Sequence, residues 1–434
     1  MGRLIPFPPM NTARYVLGNV HIPPDLCGLK PGPDGWCSAD VVIDNGTIGA
    51  VLPAGLAPPE LPVTNARQCI LLPGLVDCHT HLDKAHVAAF EAFPPGDLAR
   101  AIEAMVRNKQ GWTRESLAAR VEFSLKSAFA YGVRAMRSHV DCVAGGPGFV
   151  WQVMAEAKAR WQGRIELQLS PLAGISYFED ETARREMFAM AGHTGILGAF
   201  LLGQPDLAER LLPLFEAAGA NGWDLDFHVD EGTDPRLNGL ETLAKMALDT
   251  KFQGRILCGH CVALSQYDRA RRERVIGLAV KAGLHFVALP SSNLYLQSRD
   301  PDNVPTLRGM APVARLAVRG AVVSLGADNV RDGFCAFGDF DPVAVLNLGA
   351  QVGHLHEPAR DWARLITTAP ARTMGLEWSG RIEVGAPADL VLFAARNSGE
   401  MGLRGAPERR VIRGGDWLEV EPPELSELID WKRI

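Results

Sequence analysis

The sequence predicts an α/β protein: a (β/α)8 TIM barrel with a small β-sandwich domain assembled from both ends of the chain. Three observations carry this. Eight short apolar runs bounded by Gly, Pro or Asp alternate with amphipathic stretches, the pattern of βα units feeding a parallel sheet. No strand–GxGxxG–helix unit occurs, so an open doubly wound sheet loses its main support. Strand-like segments lie outside the alternating region at both ends, in ADVVIDNGTIGAVLP (39–53), GRIEVGAPADLVLFAA (380–395) and ERRVIRGGDWLEV (408–420). The expected boundaries are 1–70 and 373–434 for the small domain and 71–372 for the barrel.

In chain order the eight expected strands are CILLPGLVD (69–77), GVRAMRSHV (132–140), RIELQLSP (164–171), GILGAFLL (195–202), WDLDFHVD (223–230), GRILCGH (254–260), GLHFVALP (283–290) and GAVVSLGAD (320–328). Most are rich in apolar residues, as strands covered on both faces are. Between them DLARAIEAMVRNK (97–109), RESLAARVEFSLKSAFAYG (114–132) and DLAERLLPLFEAAGANG (206–222) repeat at helical spacing, and the last two run into Gly. The long stretch of residues 84–131 reads either as a lid or as packed helices.

Composition excludes several classes. A chain of 434 residues, 47% hydrophobic and 22% charged, is long enough to bury a large core. A net charge of −6 without segregation gives no basic stripe for nucleic acid. No apolar run reaches the ~18 residues of a membrane span. Prolines break the short apolar stretch in MGRLIPFPPM and no cleavage pattern follows, so the expectation is cytoplasmic. The eight cysteines are scattered, which fits free thiols better than a disulfide framework. The partner expected is a small molecule, with a homo-oligomer left open.

The chemistry is concentrated at the strand ends. The first run leads into DCHTHLDK, with His79 and His81 at i and i+2, on one side of an extended backbone. The second ends at His139 and Asp141, the fifth at His228 with Glu231 three residues on, the sixth at His260 and the eighth at Asp328. A barrel gathers these ends on one rim, and imidazoles with a carboxylate suit zinc or iron(II). Any one strand-end histidine is ordinarily just hydrogen-bonded; the constellation carries the inference. His354-Leu355-His356, at the end of the helical run PVAVLNLGAQVG, diverges as a helical pair would. His21, His86, His193 and His285 read as structural. Cys258-Gly259-His260-Cys261 has the spacing of a thiol redox motif, but Cys258 lies inside an apolar β run rather than at an exposed helix N-terminus, so the cysteines read as packing. Alternation gives Cys258 and His260 the same facing. Asp83, Lys84, His139 and Asp141 are candidates for the pocket rim, and Lys84 could equally sit in a surface salt bridge.

Taken together, LLPGLVDCHTHLDK, SHVD, DFHVDEGTD, the Gly259-His260 pair, HFVALPSSNLYLQSRD and GADNVRDGF resemble the bacterial cytosine deaminase group of the amidohydrolase superfamily, which includes N-isopropylammelide isopropylaminohydrolase. The resemblance covers most of the chain. It implies His79, His81, His228 and Asp328 as metal ligands, Glu231 as proton shuttle, His260 as the residue orienting the reactive water, and Asp328 as a second proton carrier. Binuclear relatives use a modified lysine on strand four; GILGAFLL has none, which implies a single Zn2+ or Fe2+. In the pocket, Leu172, Asn329 and Phe334 replace a glutamine, an aspartate and a tryptophan of the group's pattern, which shifts the expected substrate away from cytosine. The implied reaction is removal of an amino or N-alkylamino group from a small N-heterocycle. An amidase or cyclic-amide hydrolase on the same centre is the alternative.

Overall fold

The apolar run CILLPGLVD forms two strands in two sheets, not one. In the computed structural model, which describes residues 13–89, 97–142, 148–299, 302–307, 309–402 and 407–430, Ile70–Pro73 and Leu75–Thr80 are separated by Gly74. A Cβ at residue 74 would stand 2.9 Å from the Arg134 Cβ, so the chain changes sheets where only a glycine fits. Ile70–Pro73 pairs antiparallel with Leu390–Phe393. Leu75–Thr80 opens the second sheet.

That second sheet has its strands in strict sequence order. They are β1 (Leu75–Thr80), β2 (Val133–Asp141), β3 (Glu166–Gly174), β4 (Ile196–Leu201), β5 (Asp224–Val229), β6 (Ile256–His260), β7 (His285–Ala288) and β8 (Val322–Leu325). The described pairings among them are parallel. An isolated parallel bridge between Thr80 and Asp328 brings the first and last strands together, giving the (β/α)8 barrel the sequence predicts. The second to eighth expected strands are present with ends displaced by a few residues, and the first barrel strand begins only at Leu75.

Alternation sorts the strand residues between two environments. On β5, Phe227 faces outward and packs against Phe215 of the helix Leu207–Asn221, ring centroids 6.4 Å apart. Asp226 and His228 face inward. The interior below the strand ends is polar: Arg137 Nη1 donates to Asp226 Oδ2 at 2.8 Å, and Arg137 Nε and Nη2 donate to Gln168 Oε1 at 3.1 and 2.9 Å. Such a buried, hydrogen-bonded pair costs ~3–5 kcal/mol to break by removing one partner. Two helices follow β1, α1 (Leu98–Lys109) and α2 (Arg114–Ala130). The Asp97 side chain caps α1 by accepting from Arg100 N at 3.0 Å, a contact worth ~1 kcal/mol. Residues 90–96 of the expected lid lie outside the described residues.

The terminal strands form a mixed sheet in the order Asp416–Trp417, Arg409–Arg413, Leu390–Phe393, Ile70–Pro73, Arg14–Ile22, Cys37–Asp44, Thr47–Pro53, with Val63–Asn65 also pairing with Arg14–Ile22. Both ends of the chain thus build one small β domain. By contacts the described residues fall into two units, one drawn from 13–77, 126–135 and 341–422, the other from 78–125, 136–340 and 423–430. The helical stretch 341–372, assigned to the barrel from sequence, groups with the terminal strands. No helix among the described residues is long and apolar enough to cross a membrane.

Candidate metal centre and substrate cavity

His79 lies on β1 and His81 one residue past its end; His228 lies on β5 and Asp328 three residues beyond β8. All four are buried. Asp328 Oδ1 stands 3.3 Å from His79 Nε2 and 3.2 Å from His81 Nε2, and His81 Nε2 stands 3.1 Å from His228 Nε2. Two ligands held ~2.0–2.1 Å from one ion at a tetrahedral angle stand about 3.3–3.4 Å apart, so the spacing fits a shared cation. Electrostatics agree. Burial, followed by crowding from neighbouring groups, holds His79 down to about 4 and His81 and His228 well below the usual histidine value. Neutral imidazole is the ligand form. Burial opposes the charge on Asp328, but contacts from His79 and His81 hold it well below the usual carboxylate range. The Ser292 hydroxyl donates to its other oxygen, Oδ2, which fixes the rotamer.

His260 and Asp328 both adopt left-handed backbone, φ +67° and +58°. Non-glycine residues there are uncommon and cluster at functional sites. The conformation explains a facing that alternation gets wrong. Cys258 pairs in register with outward-facing Phe227, so strict alternation would send His260 outward as well. The left-handed turn redirects the imidazole inward while Cys258 stays in the wall. His260 Nδ1 lies 2.9 Å from Asn293 Nδ2 and 3.5 Å from Glu231 Oε1, and its buried Nε2 has no hydrogen-bond partner. His260 belongs with His79, His228 and Asp328 to a group whose ligand atoms lie within 4.8 Å of one another. Glu231 is positioned from behind by Gln297 Nε2, which donates to its carbonyl at 2.7 Å. Burial raises the pKa of the Glu231 carboxyl, partly offset by His260.

Gly259 is a requirement of this packing. A Cβ there would stand 2.8 Å from His79 Cε1, 3.1 Å from its Nδ1 and 3.4 Å from the Phe227 carbonyl. Gly259→Ala is expected to displace the His79 ring and lower metal affinity ~10–100-fold, the cost of disturbing a ligand's support; metal titration of the purified variant measures it. The cysteines stand apart from this chemistry. Cys258 and Cys261 are buried, and burial pushes both thiols well above their usual pKa. Replacing both with Ala is expected to leave catalytic turnover within about two-fold, with a small loss of stability from packing; a steady-state assay and a thermal melt check this.

The cluster lies at the base of a cavity of about 100 Å³ that opens to solvent. Lys84, Leu172, Asn329 and Phe334 line it, with His81, His228, Glu231 and His260 below. Asp83 and His139 do not line it. Asp83 is buried behind the wall, accepting from Lys84 N at 2.9 Å and Asp141 N at 3.0 Å. His139 is buried among the other rings. Lys84 is not on the surface: it is 4% exposed, its ammonium 3.5 Å from Asp141 Oδ2 and 4.7 Å from the Phe334 ring centroid. Arg120 Nη1 from α2 donates to the carbonyls of Asp83 and Ala85, each at 2.8 Å, and so clamps the backbone on both sides of Lys84. Asn329 Nδ2 donates to Asp332 Oδ2 at 2.5 Å.

Sequence reasoning missed several contributors. Lys109, at the end of α1, lines the cavity and donates to Asp141. Leu98, Ile102, Met105 and Val106 of α1 supply an apolar wall. Their helical spacing was legible, but it does not say what the face covers. Ser292 and Asn293 lie in the quoted SSN segment, where nothing local marks them as supports for Asp328 and His260. On β4, Gly198 and Phe200 are the residues in register with inward-facing Asp226 and His228, and neither can ligate a metal.

A parallel barrel with clustered imidazoles and a carboxylate at its strand ends defines a metal-site hydrolase architecture. A family model described as the amidohydrolase family matches residues 152–423, and the chain belongs to that family, enzymes that hydrolyse carbon–nitrogen bonds. It is 37% identical over 424 residues to a pterin deaminase of Rhizobium rhizogenes strain K84, covering 97% of each chain. It is 26% identical over 348 residues to N-isopropylammelide isopropyl amidohydrolase of Pseudomonas sp. strain ADP, covering 76% of this chain and 81% of the relative. The solved 5-methylcytosine deaminase from Klebsiella pneumoniae, liganded with 5-fluorocytosine, shares the fold with a TM-score of 0.81 at 22% identity, covering 95% of this chain and 98% of its own.

Proposed function

We propose that the chain uses one divalent ion, zinc or iron(II), to displace the exocyclic amino or N-alkylamino group of a small N-heterocycle, with a two-ring aminopyrimidine of the pterin type as the favoured substrate. The observation that carries the reading is the convergence of His79, His81, His228 and Asp328 at the base of a cavity that His81, His228 and Glu231 line. Near-complete coverage of a 37% identical pterin deaminase supports the ring class.

In this reading the ion supplies Lewis acidity that lowers the pKa of water from about 16 toward ~7. Glu231 takes a proton from the attacking water and delivers it to the ring nitrogen beside the target carbon, which becomes more electrophilic. Addition of the oxygen makes that carbon tetrahedral. A second proton, carried by Asp328 or Glu231, goes to the exocyclic nitrogen, which departs as ammonia or an amine. His260, steadied by Asn293, orients the water. The Lys84 ammonium, held over Phe334, donates to an oxygen acceptor on the ring; Leu172 and Phe200 pack against its faces, and Asn329 reads its edge. Leu172 offers no hydrogen bond to a pyrimidine amide, which disfavours cytosine.

The test is incubation of metal-loaded protein with pterins, aminopyrimidines, aminotriazines and creatinine-like rings, measuring released ammonia or amine alongside product mass. Exchange of an amino group for oxygen with stoichiometric ammonia is the expected result. Ring opening to a new carboxylate without nitrogen release would identify a cyclic-amide hydrolase instead.

A further inference from the structure

We propose that His139 supplies a further ring nitrogen to the metal centre, placed for that task against Asp226, so that four imidazoles face the ion. This rests on the preceding reading that His79, His81, His228 and Asp328 hold a metal.

The first support is position. The ring of His139 stands 4.2 Å from that of His79, 4.7 Å from that of His228 and 5.3 Å from that of His81, centroid to centroid. The three expected ligands stand 4.5, 5.2 and 5.6 Å from one another. His139 is therefore as close to each of them as they are to themselves. One ligand atom from each of His79, His81, His139 and His228 lies within 4.8 Å of the others.

The second support is orientation. His139 Nε2 lies 3.0 Å from Asp226 Oδ1, with both side chains fully buried. Arg137 Nη1 donates to the other carboxylate oxygen at 2.8 Å, so Asp226 is charge-compensated and accepts only. A proton on the ring nitrogen that faces this carboxylate, Nε2, leaves the lone pair on Nδ1. Both ring nitrogens of His139 and the facing Asp226 Oδ1 are buried without an aligned hydrogen-bond partner, so the ring stands against the carboxylate with Nδ1 open to a cation. A metal-binding histidine almost always donates its remote N–H to a carboxylate or carbonyl, an arrangement that fixes the tautomer and raises the basicity of the ligating nitrogen. His139 faces its carboxylate in this way, without a protein partner for the ligating atom.

The third support is how the fold builds it. Arg137 and His139 alternate onto the inner face of β2, as Asp226 and His228 do on β5. Each strand thus contributes one residue to a lower charged layer and one to the histidine layer above. Arg137 and Asp226 hold His139 from beneath as a carboxylate holds a ligand elsewhere. The sequence motif Ser-His-Val-Asp put His139 at a strand end, where it read as a rim residue; its depth assigns it downward.

The test is proton NMR of the protein loaded with cobalt(II). Each coordinated imidazole whose remote nitrogen is protonated gives one hyperfine-shifted, exchangeable N–H signal. The expectation is a signal from His139 in addition to those of His79, His81 and His228, slow to exchange because it faces Asp226. His139→Gln should lose that one signal and weaken cobalt binding by ~10–100-fold. A packing role would weaken binding without removing a signal. Wild-type protein showing only the three signals, or a His139→Gln variant retaining every wild-type signal, overturns the inference. Should the variant not fold, the wild-type spectrum alone decides. Failure of the wild-type protein to take up cobalt would sink the ligand set itself, and this inference with it; cobalt held by three imidazoles would sink only the role of His139.

Discussion

Glu231→Gln is expected to lower turnover by ~10²–10⁴, the usual contribution of a positioned proton carrier, while metal content stays at the wild-type level. The amide keeps the size of the carboxyl and its place beside His260 Nδ1, 3.5 Å away, but it cannot accept and return a proton at neutral pH. Its backbone anchor, the Gln297 contact to the residue 231 carbonyl, is untouched by the substitution. Because the raised pKa of Glu231 arises first from burial, nearby solvent cannot substitute for it efficiently. Metal analysis beside a steady-state assay separates the outcomes. A variant that keeps both its ion and near-normal turnover removes Glu231 from the mechanism; one that loses the ion makes it a structural support.

Asp328→Asn is expected to abolish metal binding and turnover together. The substitution removes the negative charge that faces His79 and His81 through Oδ1, leaving neutral nitrogens to hold a dication. Losing Lewis-acid activation costs several kcal/mol of transition-state stabilisation, which at 1.36 kcal/mol per decade is ~10³-fold or more. Stripping the wild-type protein with a chelator should reproduce the loss, and adding back zinc or iron(II) should reverse it. A melting temperature that rises with free metal in the wild type but not in the variant is the thermodynamic counterpart, since an ion that binds only the folded state stabilises it. Turnover surviving exhaustive chelation would contradict the metal role.

Much of this was legible in the sequence, for identifiable reasons. The βα alternation is a property of short apolar runs and survives without three-dimensional information, and the barrel then dictates that strand-end residues such as His79, His228 and Asp328 meet. The losses are equally specific. Composition could not show that CILLPGLVD changes sheets at Gly74, because both halves are apolar and buried. Period-two alternation could not aim His260 correctly, because its left-handed backbone breaks the period at that residue. Asp83 and His139 read as rim residues because sequence gives order along a strand and not depth within a barrel. Ser292 and Asn293 act by holding other side chains and Arg120 by holding backbone carbonyls, and their local sequence carries no mark of it. The apolar face of α1 was visible as a pattern and ambiguous as to what it covers.

The bridge between Thr80 and Asp328 has a consequence for biosynthesis. It joins the first barrel strand to the segment after the last, and Asp328 N donates to the carbonyl of His79 at 2.9 Å. A chain emerging from the ribosome carries His79 and His81 long before Asp328, the residue proposed to complete their site. On that proposal, tight capture of an ion waits until about three quarters of the polypeptide has been made and the seam has zipped. Uptake of a coloured ion during refolding would therefore time the last stage of assembly rather than the first.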